Sequence, residues 1–510
     1  MNAMNFPSLR VDGLTLILGL GETGVAAALW CAGHGASLRV IDTRLQPGGL
    51  SDLKAALDAS RVDFRLGPDA FDADSLKDVH TIVLSPGLSP SHEPVRQFLE
   101  LAAEQNIDVL GEIELFARAL ADMAKQGYSP KVLAVTGTNG KTTVTAMARQ
   151  LVEACGLSAR AAGNIGPAAL TALRDALTSD ELPDVWVLEL SSFQLESLST
   201  LIVDAAVVLN VTQDHLDWHG SMHAYLAAKA KLLQMAKIAI VNRDDPLVLD
   251  MVPDVKSLMV RSFGRDVPEL EGDLGLENSN AVVWLAAADS AVDFDQPIAG
   301  SRRRKPVSEP VRSSGRSTRL MPVEALRVRG LHNALNALAA LALVRSLGLG
   351  WANMLHALRD YHGEPHRTEF VRTIAGVDFV NDSKGTNVGA TVAALEGMGH
   401  PVVLIAGGLG KGQDFTSLAQ AARTYTRAVL LIGEDAALIA QAMTAAGITA
   451  ELVSSLAHAV TRSIELAQAG DTVLLSPACA SMDMFKNYGH RGRCFVDEVN
   501  ELALIRGEVV

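Results

Sequence analysis

A lysine and two threonines close a glycine turn: residues 136–143 read Thr-Gly-Thr-Asn-Gly-Lys-Thr-Thr, directly after the apolar run Val132-Leu133-Ala134-Val135. A strand feeding such a turn, with a helix starting at its end, aims the backbone N–H groups of Gly137, Thr138, Asn139 and Gly140 at an anion. The helix N-terminus adds its partial positive charge. Lys141 is placed to reach the β/γ-phosphates of a nucleoside triphosphate, and the Thr142 hydroxyl, followed by Thr143, to ligate Mg²⁺. Val135 stands where the full pattern has its first glycine, so the loop is a shortened G-x-x-G-K-T form. An ordinary glycine-rich βα turn is the competing reading of the loop alone.

Other residues carry potential chemistry. Glu189 ends an apolar run in Val187-Leu-Glu-Leu-Ser-Ser-Phe-Gln, where a strand-end carboxylate can serve Mg²⁺ beside a phosphate loop. Ser191 and Ser192 lie in no G-x-S-x-G elbow, which argues against a serine hydrolase. His215, His219 and His223 recur every four residues, a spacing that would align three imidazoles on a helix and suggest zinc. Asp214, Asp217 and Gly220-Ser221 interrupt that helix, so His215 is expected alone at a strand end as a metal or phosphate contact, with His219 and His223 on the surface. Lys229 and Lys231 read as a solvated helix face unless something else recruits them. His332-Asn333-Ala-Leu-Asn336 opens an alanine-rich helix; Asn333 and Asn336 are either caps or nucleotide contacts. Arg367 could bring positive charge to a transferring phosphate.

Two further regions fit a cleft for an anionic substrate. Gly19-x-Gly21-x-x-Gly24 follows a strand, opens a helix and is followed by Asp42. This satisfies the dinucleotide fingerprint, and it suits the pyrophosphate of a UDP-sugar equally, with Asp42, Thr43 and Arg44 near the nucleoside. Towards the C-terminus, Asn381-Asp-Ser-Lys384-Gly-Thr386, Gly407-Gly-Leu-Gly-Lys411 and Ser476-Pro-Ala-Cys-Ala-Ser481 through Tyr488 to Arg491 each put polar groups and a cation after a strand.

The elements that must position these residues alternate strand and helix throughout. Strands are expected at Leu14–Leu18, 37–41, 81–84, 132–135, 184–189, 205–210, 377–380, 401–406, 428–432 and 471–476, the α/β pattern of mainly parallel sheets with sites at their carboxyl ends. With 510 residues, 48% hydrophobic and 20% charged, the chain exceeds one core, and three domains are expected: 1–109, 110–363 and 364–510. Residues 266–325 break the pattern, and the Ser/Arg-rich run from Ser301 to Arg319 reads as a flexible insertion rather than a nucleic-acid patch. A net charge of −14 argues against nucleic acid as partner. No signal peptide or spanning segment is evident, and four scattered cysteines suit a reducing cytoplasm.

In order along the chain, Thr-Gly-Thr-Asn-Gly-Lys-Thr, Ala162-Gly-Asn164-Ile-Gly, Glu189-Leu-Ser-Ser-Phe-Gln, Asp214-His215, His332-Asn-x-x-Asn336, His366-Arg367, Asn-Asp-Ser-Lys384 and Ser-Pro-Ala-Cys-Ala-Ser481 resemble the Mur ligases. The resemblance covers nearly the whole chain except 266–325, and it is strongest to the member that joins D-glutamate to UDP-N-acetylmuramoyl-L-alanine. It implies a Rossmann-like N-terminal domain, a P-loop central ATPase domain and a Rossmann-like C-terminal domain. It also implies a cytoplasmic, monomeric, ATP-dependent acid–D-amino-acid ligase of peptidoglycan precursor synthesis, working through an acyl phosphate without membrane insertion. Lys141 and Thr142 would hold ATP and Mg²⁺, with Glu189 and His215 serving two metal ions. The family's carbamylated lysine falls on Lys229 rather than Lys231, through Tyr225-x-x-Ala-Lys229. Asn333, Asn336, Arg367, Asp382 and Lys384 would complete the ATP site. Thr386, Lys411, Ser481 and Tyr488 would hold D-glutamate, and Thr23, Asp42, Thr43, Arg44, Gly87 and Asn164 the UDP-muramoyl part. ATP contacts from two domains imply a site completed by domain closure.

Overall fold

Three sheets, each wrapped by helices, follow one another along the chain in this computed structural model, which describes residues 4–57, 62–290, 311–328 and 330–508. The first sheet holds β1 (Leu14–Leu18), β2 (Ser37–Asp42), β3 (Val62–Leu66), β4 (Val79–Leu84) and β5 (Asp108–Leu110) in the order β3-β2-β1-β4-β5. Every pairing in it is parallel, so the loops after β1, β2 and β4 open on one edge.

The second sheet has nine strands: β6 (Lys131–Thr136), β7 (Ala159–Gly163), β8 (Val185–Glu189), β9 (Val203–Val208), β10 (Ala236–Asn242), β11 (Val260–Phe263), β12 (Leu274–Ser279), β13 (Val282–Ser290) and β14 (Gly315–Pro322). Their order is β14-β13-β12-β11-β10-β9-β6-β8-β7. Side chains of β6, β8 and β9 alternate between two cores, as a sheet covered on both faces demands. Val132, Ala134, Trp186 and Leu188 pack into a core shared with Ile17 and Val40 of the first unit. Leu133, Val135, Val185 and Val187 pack on the other face, against the helices Lys141–Ala154 and Leu331–Arg345. Since β6 lies between β8 and β9, the loop after it sits where the sheet order reverses, the usual ligand position of such sheets.

The expectation of a flexible insertion over 266–325 is corrected where the structure describes it. β12, β13 and β14 form an antiparallel meander that extends the central sheet, with Leu285, Ala286 and Ala287 buried. The arginine run 302–304 lies outside the described residues.

The third sheet, in the order β15-β16-β20-β17-β18-β19, holds β15 (Glu369–Ile374), β16 (Val377–Asn381), β17 (Val402–Gly407), β18 (Thr426–Ile432), β19 (Ala450–Leu452) and β20 (Thr472–Leu475). Only the edge strand β15 runs antiparallel. Among the described residues no helix is long and apolar enough to cross a membrane.

Candidate functional site

Gly140, at φ 84°, caps the helix Lys141–Ala154, and a Cβ there would stand 2.5 Å from Asn336 Oδ1. A glycine is thus required by both backbone and packing, and Asn336 is brought against the loop. The loop is gripped by a residue that sequence reading left out. Asn210, beyond β9, accepts the Asn139 N–H at 2.9 Å and donates Nδ2 to the Asn139 carbonyl at 3.1 Å.

Lys141 donates Nζ to the carbonyls of Gly137 and Thr138 at 2.9 and 2.8 Å. Burial pushes its ammonium pKa down, against the pull of Glu189. Lys229 is 1% exposed on the helix Met222–Gln234 and donates to the same Gly137 carbonyl at 2.9 Å, with its Nζ 4.5 Å from the centre of the Tyr225 ring. Desolvation first, and then the nearby Lys141 charge, drive its pKa well below the usual lysine range. Lys229 is therefore no solvated surface lysine, whereas Lys231 merely donates to the Glu196 carbonyl.

Glu189 ends β8 at 2% exposure; its Oε1 accepts Asn164 Nδ2 at 2.8 Å, and its buried Oε2 has no partner among the described residues. Such an orphaned carboxylate oxygen fits a cation. Asn164 is thereby tied to Glu189 rather than to the first unit. His215 adopts φ 54° and sits edge-on to Phe193, its Nε2 3.5 Å from Asp214 Oδ2. Its pKa is lowered, mainly by desolvation. His219 corrects the expectation of a surface residue: it is buried against Phe193 and Trp218 and its Nε2 bonds Ser192 Oγ at 2.9 Å, with desolvation taking its pKa to about 4. Among the described residues no three His, Cys, Asp or Glu side chains converge as a metal-binding set.

The third unit reaches into the same place. Arg367, just before β15, donates Nη2 to Thr142 Oγ1. Asp382 accepts Ser476 Oγ at 2.7 Å and the Thr368 N–H at 3.1 Å, and desolvation raises its pKa to about 6. Lys384 lies 3.7 Å from the centre of the Tyr488 ring; burial first, then the Arg367 charge, lowers its pKa to about 8. Arg491, absent from the sequence-based site set, is fully buried and binds Ser383 Oγ at 3.0 Å, the Ser383 carbonyl at 2.9 Å and the Cys479 carbonyl. It holds the loops after β16 and β20 together.

Two connected cavities result. The larger, about 520 Å³, is lined by Asn139, Gly140, Thr143, Asn333, Asn336, Arg367, Asp382 and Lys384, among others. The smaller, about 290 Å³, takes in Lys141, Asn164, Glu189, His215, Thr386 and Lys411 and shares Asn139, Gly140, Arg367 and Lys384 with the first. Gly330, not Asn333, caps the helix Leu331–Arg345, and Asn333 sits buried in its first turn. Ser481 and Tyr488 line neither cavity; the Ser481 carbonyl accepts Phe485 N–H at 2.8 Å instead. Thr23, Asp42, Thr43, Arg44 and Gly87 lie apart, beyond the ends of β1, β2 and β4. There Asp42, 1% exposed, accepts the Leu20 N–H at 2.8 Å, together with the Arg44 N–H and guanidinium.

Comparison with known proteins gives three adjoining matches: Mur ligase MurD-like, N-terminal domain over residues 14–111, Mur ligase middle domain over 135–344, and Mur ligase, glutamate ligase domain over 366–479. UDP-N-acetylmuramoylalanine–D-glutamate ligase of Bordetella avium is 63% identical over 98% of this chain and 99% of its own. The enzyme of the same name from Paraburkholderia xenovorans is 50% identical over 98% of each. Among solved structures, MurF from Acinetobacter baumannii matches 98% of this chain and 92% of its own with a TM-score of 0.56 and 16% identity. UDP-N-acetylmuramate-alanine ligase MurC from Thermotoga maritima covers 96% and 99% with a TM-score of 0.54 and 18% identity; both share the three-unit α/β fold.

Proposed function

The chain belongs to the Mur ligase family, and from that premise we propose that it is the ligase that joins D-glutamate to UDP-N-acetylmuramoyl-L-alanine at the expense of ATP, a step of peptidoglycan precursor synthesis. The observation that carries this reading is the convergence of Lys141 from the central unit with Arg367 and Lys384 from the third on one cleft that also holds Glu189.

The chemistry asks for charge neutralisation and alignment rather than a protein nucleophile. A carboxylate oxygen of the alanyl group attacks the γ-phosphorus, the bond to ADP breaks, and an acyl phosphate forms. The amine of D-glutamate then attacks the acyl carbon; the tetrahedral adduct loses phosphate and the amine a proton. Lys141, with the N–H groups of the 136–143 loop, holds the β/γ-phosphates, while Arg367 and Lys384 offset the charge that builds on the transferred group. The larger cavity, with Asn333, Asn336 and Asp382, takes the nucleoside end. Thr386 and Lys411 take the amino acid's carboxylates, and Ser481 and Tyr488, which line neither cavity here, would join them only after a rearrangement of the third unit. Thr23, Asp42, Thr43, Arg44 and Gly87 take the UDP end, and Asn164 the muramoyl end.

The unpartnered Oε2 of Glu189, the Thr142 hydroxyl and His215 fit Mg²⁺, which when bound supplies further neutralisation of phosphate charge. The neutral amine that burial favours at Lys229 suits attack on CO₂: an N–C bond forms, one proton leaves, and the resulting carbamate anion would serve as a ligand for a second ion. Phosphate release with UDP-N-acetylmuramoyl-L-alanine and a panel of amino acids, both glutamate enantiomers included, tests the reading. Turnover with D-glutamate alone is expected; turnover with another amino acid only, or none, overturns it.

A further inference from the structure

Gly389, Ala393 and Gly397 recur at intervals of four on the helix Val388–Gly397 and so share one face, which lies against the central unit. A Cβ at Gly389 would stand 2.9 Å from Thr212 Oγ1 and 3.4 Å from Asn139 Nδ2. A Cβ at Gly397 would stand 2.8 Å from His332 Nδ1 and 3.2 Å from the Gly330 Cα. Against this face the buried His332 Nδ1 has no hydrogen-bond partner among the described residues. The helix backbone meets the side chains of Thr212, Asn139 and His332 and the Gly330 backbone directly, an approach that only small residues permit.

The start of this helix makes a second, directional contact. Asn387 Oδ1 accepts the Ala390 N–H at 2.9 Å, capping the helix, and also accepts Asn139 Nδ2 at 3.3 Å. Its Nδ2 donates to Asn139 Oδ1 at 3.1 Å and to Asp214 Oδ2 at 3.4 Å. Asn139 is the central residue of the phosphate loop and lines both cavities. A reciprocal amide pair therefore joins the third unit to the loop itself, at a point where Gly389 sets the distance of approach.

We propose that Asn387 and the Gly389–Ala393–Gly397 face form a latch that seats the third unit on the phosphate loop, and that Asn387 is a positioning residue which orients Asn139 for the nucleotide. The kinetic readout rests on the ligase reading above; the physical readouts do not.

Three variants separate a latch from simple damage. Gly389→Ala favours the helix by propensity and adds one methyl at the seam, where Gly389 also lines the larger cavity. Asn387→Ser keeps a capping oxygen and is too short for the amide pair. Gly389→Ala combined with Thr212→Ala removes the oxygen that the new methyl would meet. Gly389→Ala and Asn387→Ser are each expected to raise the KM for ATP about tenfold or more, with the KM for the UDP-linked substrate changed less than about twofold. Hydrogen exchange of residues 136–143 should quicken in both variants. X-ray scattering with adenylyl imidodiphosphate and Mg²⁺ should report a larger radius of gyration than wild type. Adding Thr212→Ala should restore most of what Gly389→Ala loses. Equal rises in both KM values, unchanged exchange in the loop, or no rescue by Thr212→Ala would overturn the latch. A wild-type protein that makes no amide refutes the ligase reading instead, and exchange and scattering then decide the latch on their own.

Discussion

Lys141 and Lys229 donate to the same carbonyl oxygen, that of Gly137, each at 2.9 Å. Two ammonium groups on one acceptor in a buried setting repel each other, so the deeper one loses its proton more readily. Lys229 is that one, since desolvation and the Lys141 charge act on it in the same direction. Its neutral amine should take up CO₂: ¹³C-bicarbonate should give a carbamate carbon signal in wild type that Lys229→Arg lacks. Activity should rise with added bicarbonate in wild type only, and the variant should lose about 10²–10³-fold in kcat. A bicarbonate response that survives in the variant would count against the modification.

Lys141→Ala removes the cation at the phosphates and should lower phosphate release by about 10²–10³-fold or more. Binding of the UDP-linked substrate, measured by calorimetry, should change little, because apart from Asn164 the residues read as its site lie beyond β1, β2 and β4. Near-normal turnover in this variant would sink the ATP-site assignment.

Lys384 gives the pH dependence a basic limb. With its pKa lowered to about 8, the side chain is charged below that pH and neutral above it. The kcat/KM for ATP should fall as pH rises through about 8, since the free enzyme loses a cation facing the triphosphate. Lys384→Arg keeps its charge throughout and should flatten that limb, even where its absolute rate is lower. A limb unchanged in the arginine variant would assign it to another group.

How much of this was legible from the sequence follows from how local each signal is. The loop at 136–143 could be read because its glycine conformations, its lysine and the strand before it occupy one short segment. The meander β12–β14 escaped because Leu274–Ser279 and the edge strand Gly315–Pro322 are rich in polar residues, with weak alternation. His219 was misplaced because Phe193 and Ser192, which bury and bond it, come from another segment. Asn387 could not be found at all by spacing: its partner Asn139 lies 248 positions away, and only the docking of two units joins them. Arg491 was visible as a cation near a strand end, but its two buried carbonyl partners were not.

Asp42 is held in place rather than poised free. Its carboxylate accepts the Leu20 N–H and the Arg44 side chain, so it shapes the glycine turn after β1 as much as it meets any ligand. Asp42→Ala leaves a buried N–H unpaired and should cost about 1–3 kcal/mol of stability as well as weakening binding of UDP. Thermal unfolding and UDP titration together check this; weakened UDP binding at unchanged stability would leave Asp42 a ligand contact only.

Glu112, buried where the first unit joins the second, accepts the Leu170 N–H at 2.6 Å, and its Oε2 has no partner among the described residues. Desolvation, with Glu22 adding to it, pushes its pKa up to about 7. The folded state thus binds this proton more tightly than the unfolded chain, whose carboxyl titrates near 4.5. Its contribution to stability should therefore decline as pH rises from about 4.5 to about 7, by an order-of-magnitude 3 kcal/mol. Glu112→Gln keeps the acceptor and should raise the melting temperature at pH 8 while leaving it near wild type at pH 4.5. Melting curves at the two pH values decide the matter, and an equal shift at both would show that the charge is not the cause.

Arg367 occupies the short connection between the helix Trp351–Arg359 and β15, where the chain passes from the second unit to the third. A group near a pivot sweeps a small arc, so rotation of that unit would leave the guanidinium close to the Thr142 hydroxyl while Lys411, which follows β17, is carried along with the third sheet. The tie from the pivot to the phosphate loop would then outlast an opening of the cleft.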